Sequence, residues 1–116
     1  MTKLESAYAR CGMDYAGTID RCAGDEQMLR DLLSMFLADD NFKKLMSALN
    51  ENNAEMGFRA AHSLKGSSGM LGMTGLHGVL KDMTECLRAG DTVSAASYRE
   101  AAEREYAAAA EMIGSL

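Results

Sequence analysis

Apolar residues recur along the 116-residue chain three and four positions apart, the period of helices packed on one side, and nowhere alternate as strands do. Met1 to Gly12 carries scattered apolar positions that fit either a short helix or a loose N-terminal arm. Tyr15, Ile19 and Cys22 predict a short helix from Asp14 to Cys22, and Ala23-Gly24-Asp25 reads as its stop followed by a new N-cap. Beyond Asp25, Met28, Leu29, Leu32, Leu33, Met35, Phe36 and Leu37 form a broad stripe. Asp39-Asp40-Asn41 interrupts or bends it before Phe42, Leu45, Met46 and Leu49 resume the period. After a turn at Asn50 to Asn53, a segment from Ala54 to about Gly72 follows. Thr74 then reads as the N-cap of a helix carrying Leu76, Val79, Leu80, Met83 and Leu87, which ends at Ala89-Gly90-Asp91. The last helix is expected from about Thr92 to Ile113, rich in small Ala side chains suited to close packing.

The sequence contains no proline, so nothing forbids helices throughout. The expectation is an all-α fold in one domain over residues 1–116. Hydrophobic residues at 47% suffice for a real core, and disorder is excluded as a description of the whole chain. Twelve basic against seventeen acidic side chains give a net charge of −5, the wrong sign for nucleic acid or an anionic membrane. Cys11, Cys22 and Cys86 are odd in number and show no C-x-x-C spacing, so they imply neither a disulfide framework nor a zinc site and read as small buried hydrophobes. With no membrane span or leader-like segment, a cytoplasmic setting is expected.

Residues 60 to 72 read Ala-Ala-His-Ser-Leu-Lys-Gly-Ser-Ser-Gly-Met-Leu-Gly. On a helical wheel, Gly57, Ala60, Ala61, Leu64, Ser67, Ser68 and Leu71 fall on one side, a small-residue stripe suited to a bundle interior. Phe58, His62, Lys65, Gly66, Gly69 and Met73 fall on the other. An imidazole thus stands on the surface with a lysine and two glycines as helical neighbours. Glycine inside a helix costs about 0.8–1.0 kcal/mol relative to alanine, so two on an exposed face need a reason. Access is such a reason: bare backbone beside His62 clears space for another macromolecule, and Lys65 adds a charge that steadies a phosphoryl group. A largely neutral imidazole is nucleophilic near pH 7 without a triad, provided the partner brings activated phosphorus.

His62-Ser-Leu-Lys65-Gly66-Ser67-Ser68, followed by Leu71-Gly72, resembles the signature of histidine-containing phosphotransfer (HPt) domains. The resemblance extends from about Asp14 to Ile113. It implies a bundle with an antiparallel four-helix core plus short N-terminal helices. In that family an exposed histidine accepts a phosphoryl group from a receiver-domain aspartate of a response regulator or hybrid sensor kinase and passes it to another receiver. Carried over, His62 is the phospho-accepting residue, Lys65 and Arg88 are phosphoryl-stabilising cations, and Gly66 permits receiver approach. Family members often place Glu or Gln opposite the histidine on the next helix; here Thr84 stands there as the candidate for orienting the imidazole, with Glu85 beside it. Mg²⁺ in that chemistry belongs to the receiver, so no cofactor or metal is implied for this chain. The chain is expected to be a monomeric carrier, since the donor must reach an uncovered face. It has neither the ATP-binding motifs nor the length of a kinase.

Blander readings apply elsewhere. His77, at the start of the following helix, reads as an exposed or capping side chain. Phe58, Met70 and Met73, with Gly69, form a possible apolar rim for docking a receiver, the alternative being that Phe58 tucks under the neighbouring helix. Met28, Met35, Met46 and Met83 read as core. The glycine-rich stretch from Gly66 to Gly75 is no P-loop, because Lys65 precedes the glycines and no strand stands before them. An alternative function from a different class is a helical adaptor that docks a receiver or kinase without carrying phosphate.

Overall fold

A computed structural model describes all residues 1–116 and contains eight helices and no strand. They are α1 (Lys3–Arg10), α2 (Tyr15–Arg21), α3 (Glu26–Ala38), α4 (Asn41–Asn50), α5 (Ala54–Met70), α6 (Thr74–Arg88), α7 (Thr92–Ala96) and α8 (Arg99–Gly114). Local chemistry sets most boundaries. Asp14, Asp25, Asn53 and Asp91 each cap a helix by accepting from backbone N–H groups of its first turn. Asp39 takes extended backbone and its carboxylate accepts from the Asn41 backbone and side chain at 2.9 and 2.8 Å, so the acidic interruption is a real break between α3 and α4.

The centre is the α5–α6 hairpin. Residues far apart in sequence pair antiparallel across it: Phe58 meets Arg88, and His77 meets Lys65. On the other side of α5, Asn41 of α4 reaches Ser63, and Ala48 approaches Gly57. A Cβ at Gly57 would lie 3.1 Å from Leu87 and 3.4 Å from Ala48, so its absence lets α5 sit close between α4 and α6. α8 closes the bundle against α6 and α3, with Tyr106 stacked on Phe42 at 4.0 Å between centroids. Leu29, Leu33 and Phe36 of α3, Leu45 and Leu49 of α4, Leu76, Leu80, Met83 and Leu87 of α6, and Met112 and Ile113 of α8 fill the core.

Several expectations change. Of the two readings open for Met1 to Gly12, the short helix holds: Thr2 caps α1 and Leu4, Ala7 and Tyr8 are fully buried. The last helix bends at Ser97-Tyr98 into α7 and α8, where the Ser97 hydroxyl donates to the Ser94 carbonyl and competes with the helical ladder. Met73, not Thr74, occupies the cap position of α6, and the Thr74 hydroxyl turns back to the Gly72 carbonyl. Cys22 is buried and Cys86 half-buried, but Cys11 is exposed just past the end of α1. Met83 is buried as expected, whereas Met28 and Met35 are 48% and 65% exposed. The α3 seam is the row Leu29, Leu33 and Phe36, and Met28 and Met35 lie one row over, on the solvent side.

The N-terminal helices brace the far end of the hairpin. Tyr8 donates its phenol proton to the Leu71 carbonyl at 2.8 Å, and burial pushes that phenol far above its usual pKa, so it remains a donor. Arg21 donates to the carbonyls of Met70 at 2.8 and 3.0 Å and Gly69 at 3.4 Å, closing the C-terminus of α5. Gly72 turns the chain at φ +73°, where a Cβ would also collide with Thr18 and the Asp14 carbonyl.

Candidate functional site

The inward stripe of α5 is as its periodicity predicts. Gly57, Ala60, Ala61, Leu64, Ser68 and Leu71 are buried, and Ser67 is half-buried with its hydroxyl on the carbonyls of Ser63 and Leu64. His62 projects from the opposite side and is exposed. Its ring lies nearly parallel to that of Phe58, one helical turn earlier, at 12° and 5.6 Å between centroids. Phe58 is half-buried against the core, and the Arg88 guanidinium carbon sits 4.8 Å from its ring centre. Arg88 is in turn 3.5 Å from the Glu85 carboxylate. Phe58 is neither a free rim residue nor tucked under the neighbouring helix, but half-buried between Arg88 of α6 and the imidazole.

The two candidate access glycines differ. A Cβ at Gly66 would meet nothing within 4 Å. No packing inside the chain requires glycine there, and the backbone beside the imidazole is open to solvent. A Cβ at Gly69 would fall 2.8 Å from Nδ1 of His77. Gly69 is thus explained by an internal contact and is not part of an open face. His77, expected to be exposed or capping, is half-buried, with Nδ1 2.9 Å from the Lys65 carbonyl. Lys65 is half-buried one turn beyond His62, and Ser68 also donates to its carbonyl, at 3.1 Å.

Two further assignments are corrected. Met73 is only 2% exposed. The wheel fails beyond Met70 because α5 ends there and Gly72 reverses the chain, folding Met73 into the core. Thr84 is fully buried and donates its hydroxyl proton to the Leu80 carbonyl at 2.6 Å, so it does not orient the exposed imidazole. Met70 does remain on the surface, 50% exposed. It borders a shallow groove with Leu32 and Met35 of α3. Sequence reasoning missed this α3 contribution, although the width of the α3 stripe, more than a single seam needs, was the available signal.

The row Phe58, His62, Gly66 and Met70, spaced by four, therefore presents a nucleophilic ring, an open backbone surface and an apolar residue at each end. A helical bundle with an accessible imidazole on an open helix face is the class of protein this defines. A family model for the Hpt domain matches residues 27–112, and the chain belongs to that family, whose members are histidine phosphotransfer carriers of phosphorelays and not kinases. Helices α1 and α2 precede the matched residues. Comparison with curated proteins and with solved structures found no match. No helix is long and apolar enough to cross a membrane.

Proposed function

We propose that this chain is a phosphorelay intermediate in which His62 accepts a phosphoryl group from the aspartate of one receiver domain and delivers it to another. The observation that carries the reading is the exposed imidazole beside Gly66, whose missing side chain leaves the surface open one helical turn away. In the forward step a ring nitrogen of neutral His62 forms a bond to phosphorus. The P–O bond of the aspartyl phosphate breaks, and its electron pair returns to the carboxylate. The phosphoimidazole then sheds its extra proton from the other ring nitrogen to solvent. The reverse sequence loads the next receiver.

Lys65 stands one turn beyond His62, within reach of a side chain that folds back toward a phosphoryl group, and Arg88 is the second cation on the same side. In the free chain Arg88 is engaged with Phe58 and Glu85, which makes Lys65 the principal stabilising charge. Mg²⁺ is supplied by the receiver. Docking uses Met70 with Leu32 and Met35, which line one groove beside this face, and the receivers include that of a hybrid sensor kinase. The chain works in the cytoplasm with this face uncovered, as a monomer, since a second copy over it would bar the donor.

The test is transfer from a phosphorylated receiver to the native chain and to His62→Gln. Acid-labile, base-stable label on the native chain alone supports the carrier role. A folded native chain that binds receivers but never takes label would make it a docking adaptor.

A further inference from the structure

An exposed histidine on a helix keeps more than one side-chain rotamer and a nearly free ring torsion, whereas in-line attack on phosphorus needs the ring nitrogen aimed in one direction. A hydrogen bond from the facing helix would fix that direction, but none of the α6 side chains at this level, Lys81, Asp82, Thr84 or Glu85, makes one to the imidazole. Thr84 is buried with its proton on Leu80, and Glu85 pairs with Arg88 at 3.5 Å. The ring that does touch the imidazole is Phe58. Its 12° tilt and 5.6 Å separation are those of an offset stack. Phe58 is itself seated on the core and covered by the Arg88 guanidinium at 4.8 Å, within cation–π range.

We infer that Phe58, held by Arg88, is the positioning residue that sets the plane of the His62 imidazole, in place of a hydrogen bond from α6. The inference rests on the phosphotransfer reading of His62. Stacking suits a carrier chemically, because it restrains the ring through its face and leaves both nitrogens on the ring edge free, one for the phosphoryl group and one for the proton. Glu85, Arg88, Phe58 and His62 thus form a continuous series from α6 to the nucleophile.

Two measurements on the full chain test this. The first is proton NMR: cross-relaxation between the Phe58 and His62 ring protons is expected in the native chain and in Phe58→Tyr, and its absence from a folded native chain overturns the proposal. The second is phosphorylation by phosphoramidate, a small donor whose P–N bond breaks with loss of ammonia as the imidazole N–P bond forms, so that no receiver docking is involved. Phe58→Leu is expected to lower that rate about two- to tenfold, the range of an aromatic pair's contribution. Phe58→Tyr is expected to restore it, and Arg88→Met, which keeps Phe58 but removes the guanidinium over its ring, to lower it by a smaller factor together with the ring cross-relaxation; a lower rate with the cross-relaxation intact would reflect only a lost phosphoryl-stabilising charge and would count against the proposal. If Phe58→Leu is phosphorylated at the native rate and loses only receiver transfer, Phe58 is a docking residue and the proposal fails. If Phe58→Leu does not fold, an unchanged rate in Arg88→Met with its ring contacts disordered overturns the proposal equally. A native chain that shows the ring contact but takes no phosphoryl group from any receiver would refute the phosphotransfer reading itself.

Discussion

Gly66 and Gly69 lie three residues apart in the same helix, and the structure separates the effect of the same substitution at each. At Gly66 a methyl group enters empty space, so Gly66→Ala gains the full helix preference of alanine, about 0.8–1.0 kcal/mol. With an unfolding entropy of about 2.1 cal/mol/K per residue, this raises Tm by about 4 °C for a chain of 116 residues. At Gly69 the same methyl would lie 2.8 Å from Nδ1 of His77, closer than such contacts occur. The imidazole must swing away, losing its bond to the Lys65 carbonyl, about 0.5–1.5 kcal/mol, together with part of its packing. Gly69→Ala is therefore neutral to destabilising by about 1 kcal/mol, since these losses match or exceed the same helix gain. Urea unfolding monitored by circular dichroism, with Tm as a check, resolves that difference. Equal stabilisation by both substitutions would mean that His77 is not seated on α5, and destabilisation by Gly66→Ala would mean that its surface is covered. A bulky Gly66→Gln should keep the helix and block receiver transfer; unchanged transfer kinetics would remove the access argument.

Other consequences are as direct. Thr84→Gln places a larger polar side chain where a buried threonine fits, so it should destabilise the chain by about 1–3 kcal/mol without speeding phosphoryl uptake by His62; faster uptake would restore α6 as the orienting element. Arg21→Ala removes the donors at the end of α5 and should lower stability by about 1 kcal/mol, read as a lower urea midpoint with unchanged slope. Thr2 and Tyr15 both donate to the Glu26 carboxylate and hold its pKa below the usual 4.5. Its stabilising contribution is therefore complete above about pH 5 and lost as pH falls through the lowered folded value; Glu26→Gln should flatten the acid limb of stability against pH, and an unchanged limb would refute the link.

What was legible in the sequence was local. Asp25 announces the start of α3 because a cap and the N–H groups it binds lie within three residues; Asp14, Asn53 and Asp91 cap their helices in the same way, although the sequence marked them only as a segment start, a turn residue and a helix end. The inward and outward faces of α5 were legible up to Met70, because one helical period governs that far. Met73 was misassigned when the same period was carried past the residue that breaks it, Gly72. Thr84 was misassigned by position alone: it lies near the level of His62 along α6, but its side chain faces the core and its proton goes to the Leu80 carbonyl of its own helix. Contacts that join residues distant in the chain left no local trace. Tyr8 with Leu71, Arg21 with Met70 and His77 with Lys65 depend on how the helices pack, and no spacing rule reports them. The Phe58–His62 stack lies between, since the spacing of four makes the contact possible and Arg88 from another helix secures it.

The chain has two histidines, and the account distinguishes them sharply. His62 is exposed beside an open backbone surface, whereas His77 is half-buried with one ring nitrogen against the Lys65 carbonyl. The most direct measurement is to locate the phosphoryl group by tandem mass spectrometry under basic conditions after incubation with a phosphorylated receiver. The account predicts modification of His62 and none of His77. Phosphate on His77, or a folded chain that accepts none on either ring, would contradict it.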